Sequence, residues 1–121
     1  MAFDFQLYCV SIDKTLYDAI EVINADLSRC AIVVGPRNNV VGVISEGDVM
    51  RFLLEGISLQ APLSRLVDPS FISLSNRDLD QAFILIKRLG ISLIPIVDTN
   101  GCLTDIISLA DVLESMQLRS E

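Results

Sequence analysis

Shifted by 63 residues, the sequence matches itself without a gap. Leu16 falls on Leu79, Ala19 on Ala82, Ile23 on Ile86, Val34 on Val97, Ile44 on Ile107, Ser45 on Ser108, Asp48 on Asp111 and Val49 on Val112. Other pairs exchange one aliphatic residue for another, such as Val33 with Ile96 and Val43 with Ile106. A fixed period with the same order of patterns in each copy marks a tandem duplication. A unit of about 50 residues buries too little surface to stand alone. Two copies packed on each other's sheets, related by a pseudo-two-fold axis, are therefore expected.

Each copy reads as a β-α-β-β-α unit, so the fold class is α/β (α+β). Residues 1–56 form the first repeat, 57–69 a linker and 70–121 the second repeat. Short extended pieces at 7–12 and 71–74 open the copies. Leu16, Ala19, Ile20, Ile23 and Leu27 recur at the helical period, and Leu79, Ala82, Phe83, Ile86 and Leu89 repeat the stripe. Ser75 and Asn76 are candidate N-caps of the second of these helices, and Gly90 suits its left-handed C-terminal residue. Strands at 31–34 and 40–44 flank one turn, and strands at 93–97 and 102–107 flank Asn100-Gly101, a hairpin signal. Runs this apolar imply strands covered on both faces. Pro95 lacks a ladder donor and marks a strand start or an edge. Helices over 46–54 and 109–117 close the copies, and the linker holds a helical turn near 63–66.

Composition narrows the function. A net charge of −7 argues against a nucleic-acid partner, which needs a basic stripe to displace counterions. The absence of histidine removes the commonest general base and metal ligand. Three cysteines, odd in number, far apart and in apolar runs, read as thiols in a reducing cytosol rather than a disulfide framework. No run of 18 apolar residues predicts a membrane span, and no basic region precedes the first apolar residues as in a secretory signal. A cytoplasmic protein is expected.

The chemistry gathers where each copy's last strand meets its last helix, at Ser45-Glu46-Gly47-Asp48 and Ser108-Leu109-Ala110-Asp111. One reading is structural: the serine caps the helix and the aspartate in its first turn completes a capping box. The other is functional. A helix N-terminus presents free N–H groups to a phosphate, a serine hydroxyl can join them, and an aspartate one turn on can accept from ribose hydroxyls.

The order of elements, the duplicated Ser-x-x-Asp, Gly42 ahead of Ser45, and Ile94-Pro95-Ile96-Val97-Asp98 together resemble a tandem pair of CBS domains over nearly the whole chain. The resemblance implies a regulatory module without catalysis of its own. Such a module requires no cofactor and binds AMP, ADP, ATP or S-adenosylmethionine in clefts between the repeats. By position, Ser45 and Asp48 would serve one cleft, and Ser108 and Asp111 the other. The base would lie against Val10, Ser11 and Ile12 with Ala31 and Ile32, and against Ile72 and Ser73 with Ile94 and Pro95. Two departures matter. Asp105 stands where the family usually has glycine, and Gly47 and Ala110 stand where a basic residue often precedes the aspartate. Arg29, Arg51, Lys87 and Arg88 read as solvated charges. The cleft around Ser45 and Asp48 is therefore the one expected to work.

The stretch from Leu53 to Leu63 resembles the pair that precedes a sugar-phosphate nucleotidyltransferase, which would make the chain a regulatory piece of a larger enzyme. A homodimer is also expected. The alternative is a ligand-free dimerisation or scaffold module that associates through helix faces carrying Val49, Phe52 and Leu53, and Val112, Leu113 and Met116. No nucleophile–base pair or metal constellation suggests an enzyme within the chain.

Overall fold

The first helix, α1 (Leu16–Ala25), forms where the apolar period begins, and its buried stripe is Leu16, Ala19 and Ile23. A computed structural model of the chain describes residues 5–25 and 29–120, so Leu27 lies outside the described residues. The Thr15 N–H and hydroxyl both donate to Asp18 Oδ2, at 3.0 and 2.9 Å, and fix the helix start. The stripe packs on Ala31 and Val33 of β2 (Cys30–Val34), on Ile44 of β3 (Val40–Ser45) and on Phe52 of α2 (Glu46–Leu54).

The second copy repeats this arrangement with α3 (Leu79–Leu89), β4 (Leu93–Val97), β5 (Leu103–Ser108) and α4 (Leu109–Ser120). Ala82, Ile86, Ile94, Ile96, Ile107 and Val112 form its outer core. The N-cap of α3 is Asp78, not Ser75 or Asn76: its Oδ1 accepts from the Gln81 N–H at 3.0 Å. The helix begins later than the polar cluster, and the cap must immediately precede the first helical residue. Gly90 ends α3 in the left-handed region, with φ of 67°.

The two sheets are unequal. In the first, β1 (Cys9–Ser11) runs parallel to β2, and β2 antiparallel to β3. The second holds only β4 and β5, and the strand expected over 71–74 shrinks to one parallel bridge between Leu74 and Ile96. Pro95 is the cause. The Leu74 N–H donates to the Pro95 carbonyl and the Val97 N–H to the Leu74 carbonyl. The next rung would need an N–H on Pro95, which a proline lacks. Ile32 holds the equivalent position in the first copy, and there the ladder continues.

The second hairpin also differs from its expected form. It is closed by the Gly101 N–H on the Asp98 carbonyl and the Asp98 N–H on the Cys102 carbonyl. Positive φ falls on Gly101, at 80°, and on its counterpart Asn38, at 62°, rather than on Asn100. Beyond the turn, the pairing shifts register between Ile96 and Val97.

Inner faces of the sheets meet in a shared core of Cys30, Ile32, Val40, Leu93, Leu103 and Ile106, with helices outside. Every residue of β2 and β4 except the last is buried, as their unbroken apolar runs imply. The linker is part of the first copy. Leu63 is fully buried in that copy's core, and the Leu16 and Tyr17 N–H groups donate to the Ala61 and Leu59 carbonyls. Val67 and Asp68 then cross over β3 at Gly42, where an added Cβ would lie 3.1 Å from Val67 Cβ and 3.2 Å from the Asp68 carbonyl. Among the described residues, no helix is long and apolar enough to cross a membrane.

Candidate binding cleft between the copies

Ser45 ends β3 and caps α2. Its hydroxyl accepts from the Asp48 N–H at 3.2 Å, and its own N–H donates to Asp48 Oδ2 at 2.9 Å. Ser108 and Asp111 form the same reciprocal pair at the start of α4, at 3.1 and 2.9 Å. Both corners are thus capping boxes with aspartate as the acid.

The first corner opens on a cavity of about 620 Å³. Ser45, Glu46, Asp48 and Arg51 form one wall, and Gly90, Ile91, Ser92 and Leu93 form the other. Asp68, Ser70, Phe71 and Ile72 close the side where the linker enters the second copy. Cys30 Sγ and Ser92 Oγ, both lining the cavity, lie 3.4 Å apart and share a hydrogen bond between the copies.

Of the residues read from the sequence, the structure brings Ser45, Asp48 and Ile72 together around this cavity. It does not bring the others. Val10 and Ala31 are buried in the first copy's outer core, with Ile12 packed against it. Ile32 lies in the core between the sheets and Ile94 in the outer core of the second copy. Pro95 is fully buried. Ser11 donates to Asp13 at 2.6 Å, and Ser73 is half-buried outside the lining. Ser108 and Asp111 stand at the other corner. Strand neighbours of a cleft alternate between facing it and facing the core, and a one-residue offset reverses which they do.

The sequence reading missed Phe71 and the Gly90–Leu93 wall. The apolar period showed them as strand and helix end, and only the packing of the copies brings them to Ser45. Arg29 and Arg51, read as solvated, are exposed. Both line the cavity, where Arg51 Nη1 lies 3.3 Å from Asp48 Oδ1 and Arg29 Nη1 lies 3.9 Å from Glu46 Oε2. Lys87 and Arg88 are exposed on α3, with Lys87 over the Phe83 ring. Glu46, Asp48 and Asp68 against Arg29 and Arg51 leave the cavity one negative charge in excess.

The second corner carries a cation the sequence reading did not assign. Arg77, from the segment before α3, places Nη1 3.3 Å from Asp105 Oδ2 and Nη2 3.4 Å from Asp111 Oδ2, and donates to the Ile106 carbonyl at 2.7 Å. Among the described residues, no group of Cys, Asp and Glu is placed to hold a metal ion.

The model of the CBS domain family matches the chain twice, over residues 4–55 and 67–118. Arabinose 5-phosphate isomerase GutQ of Salmonella typhi is 35% identical over 96 residues, which cover 74% of this chain and 30% of that protein. The chain thus spans about a third or less of the length of the first curated relatives it matches. Protein MJ1225 from Methanocaldococcus jannaschii superposes with a TM-score of 0.81 at 21% identity, covering 98% of this chain and 49% of that one. The CBS domain protein PAE2072 from Pyrobaculum aerophilum, complexed with AMP, superposes with a TM-score of 0.73 at 18% identity, covering 91% and 90%. At these identities, the two structures speak to the fold alone.

Proposed function

Because the chain belongs to the CBS domain family, we propose that it is a regulatory module that binds an adenine nucleotide or adenosyl ligand in the cleft around Ser45 and Asp48. The observation that carries this reading is the cavity itself, which opens on that corner between the two copies. The Glu46 N–H is taken by the Arg29 carbonyl and the Asp48 N–H by the Ser45 hydroxyl oxygen, so the Gly47 N–H and the Ser45 hydroxyl proton would take a phosphate. Asp48 Oδ1, outside the capping box, would take the ribose hydroxyls once Arg51 swings from it. Arg51 is exposed and shared with Glu55 at 3.9 Å, so the swing costs little. Phe71, Ile72 and Leu93 offer the apolar surface a base needs. The AMP held by PAE2072 supports this choice of ligand. Excess negative charge in the cavity favours few phosphates, so AMP or a cationic adenosyl ligand is preferred to ADP and ATP.

The controlled partner is read as an enzyme domain joined to the pair in a cytoplasmic protein. The isomerases among the relatives support a sugar-phosphate enzyme. A nucleotidyltransferase in that place rests on the stretch from Leu53 to Leu63 alone. Association as a homodimer is supported by exposed apolar residues on α2 and α4, including Met50, Leu53, Leu54, Leu113 and Met116. Phe52 and Val112 of the expected contact faces point instead into the cores, and Val49 packs against the first.

Calorimetric titration with AMP, ADP, ATP and S-adenosylmethionine tests the binding. A ligand at about 100 times its Kd raises stability by about 2.7 kcal/mol. Asp48→Asn should abolish binding while Asp111→Asn, which touches the equivalent capping box, should not. Absence of both heat and a rise in Tm at millimolar concentrations of all four ligands overturns the reading.

A further inference from the structure

We propose that Arg77 is an internal occupant of the second corner, so that the chain holds one ligand rather than two; the proposal rests on the reading of the first cleft given above.

The two corners are alike in their capping boxes, at 3.2 and 2.9 Å in one and 3.1 and 2.9 Å in the other. They differ in what holds the aspartate. Asp48 is met by Arg51 through one contact, from the same helix and shared with a further carboxylate. Asp111 is met by a guanidinium anchored at three points on two elements: Asp105 and the Ile106 carbonyl on β5, and Asp111 on α4. A planar fork fixed in this way does not swing aside as a single surface pair does. The position of Arg77 in the first copy is Lys14, and the position of Arg51 in the second is Glu114, so each corner recruits its arginine from a different place.

Asp105 holds the lock in place. Its counterpart is Gly42, which is bare because Val67 and Asp68 cross over it. On β5 a side chain stands at this position, and it reaches Arg77. The side chain present is an acid that holds Arg77 across the corner. Removing Arg77 alone would not open the corner, because Asp105 and Asp111 would then both face an incoming phosphate. Arg77 and Asp105 must go together.

The test is the number of AMP molecules bound per chain by calorimetry. Wild type should bind one, lost in Asp48→Asn. The double variant Arg77→Ala with Asp105→Gly should bind two. Adding Asp48→Asn to it should leave one, at the second corner. The near-isosteric pair Arg77→Gln with Asp105→Asn should also gain a second site, which guards against a packing defect in the first double variant. Affinity at the second corner should rise at least on the order of tenfold, the change that 1.4 kcal/mol brings. Two AMP per wild-type chain, or one in both double variants, overturns this proposal and leaves the first cleft standing. No binding in wild type or in any variant overturns the reading of the cleft and this proposal with it.

Discussion

Asn39 and Cys102 hold the same place in their copies and face each other across a single antiparallel bridge. The Val40 N–H donates to the Gly101 carbonyl and the Leu103 N–H to the Asn38 carbonyl, both at 2.9 Å. Each bond is the symmetry mate of the other, so the pseudo-two-fold axis passes between these two residues. Every position in one copy has a defined counterpart across that axis. The differences that matter are those at equivalent places: Gly42 against Asp105, Ile32 against Pro95, and Arg51 against Glu114.

Gly42→Ala pushes a methyl group against Val67 and the Asp68 carbonyl. Overpacking of this kind costs about 1 kcal/mol or more, which lowers Tm by about 4 °C in a domain of this size. Asp105→Ala, at the equivalent position, adds no atom and should show no such clash. Thermal unfolding of the two variants side by side checks this.

Leu63→Ala should cost about 2–5 kcal/mol, the range for a leucine in a core, although the residue lies in the linker. Urea unfolding measures it. A loss under about 1 kcal/mol would mean that the linker is not part of the first core.

Ser45→Ala and Ser108→Ala each remove one N-cap and should destabilise alike, by about 1 kcal/mol. Their effects on AMP binding should differ: the first weakens it and the second leaves it unchanged. Chemical denaturation and calorimetry on the same samples separate capping from ligand binding.

Asp68→Asn and Glu46→Gln each remove a carboxylate from the cavity lining. Both should raise affinity for ADP and ATP more than for AMP, because a repulsion grows with the number of ligand charges. Competition titrations at low salt give the ratio, and the effect should shrink at high ionic strength.

The Asp18 carboxyl titrates below the ordinary aspartate value of 3.8, chiefly because the Thr15 N–H and then its hydroxyl donate to it, with Lys14 adding a smaller pull. The folded value lies below the unfolded one, so the ionised carboxylate stabilises the fold above the unfolded value. That contribution is lost as pH falls through the folded value. The stability difference between wild type and Asp18→Asn should be full above about pH 5 and shrink on acidification. A gap that widens at low pH would contradict the assignment.

Much of this was legible in the residues. The apolar periods place α1, α2 and α3 at their observed ends, and the 63-residue shift fixes the pairing of copies. Ser45 and Asp48 are legible because a capping serine and its acid are local in the chain. Arg77 was not, because it meets partners 28 to 34 positions away through tertiary packing. Most of the expected base-facing residues lie outside this cavity's lining, for a related reason. Which neighbours of a strand line a cleft depends on register and on how two sheets meet, and neither is written in alternation alone. Pro95 was read as an edge signal, and its missing donor explains why the strand beside it did not form.

That missing donor also bears on how firmly the second copy holds its side of the cavity. Only one rung ties 71–74 to β4, so the segment that carries Phe71 and Ile72 to the cavity has fewer backbone bonds to its own sheet than β1 has. Replacing Pro95 with valine would restore the donor and let that ladder extend. Amide hydrogen exchange over 71–74 should then slow.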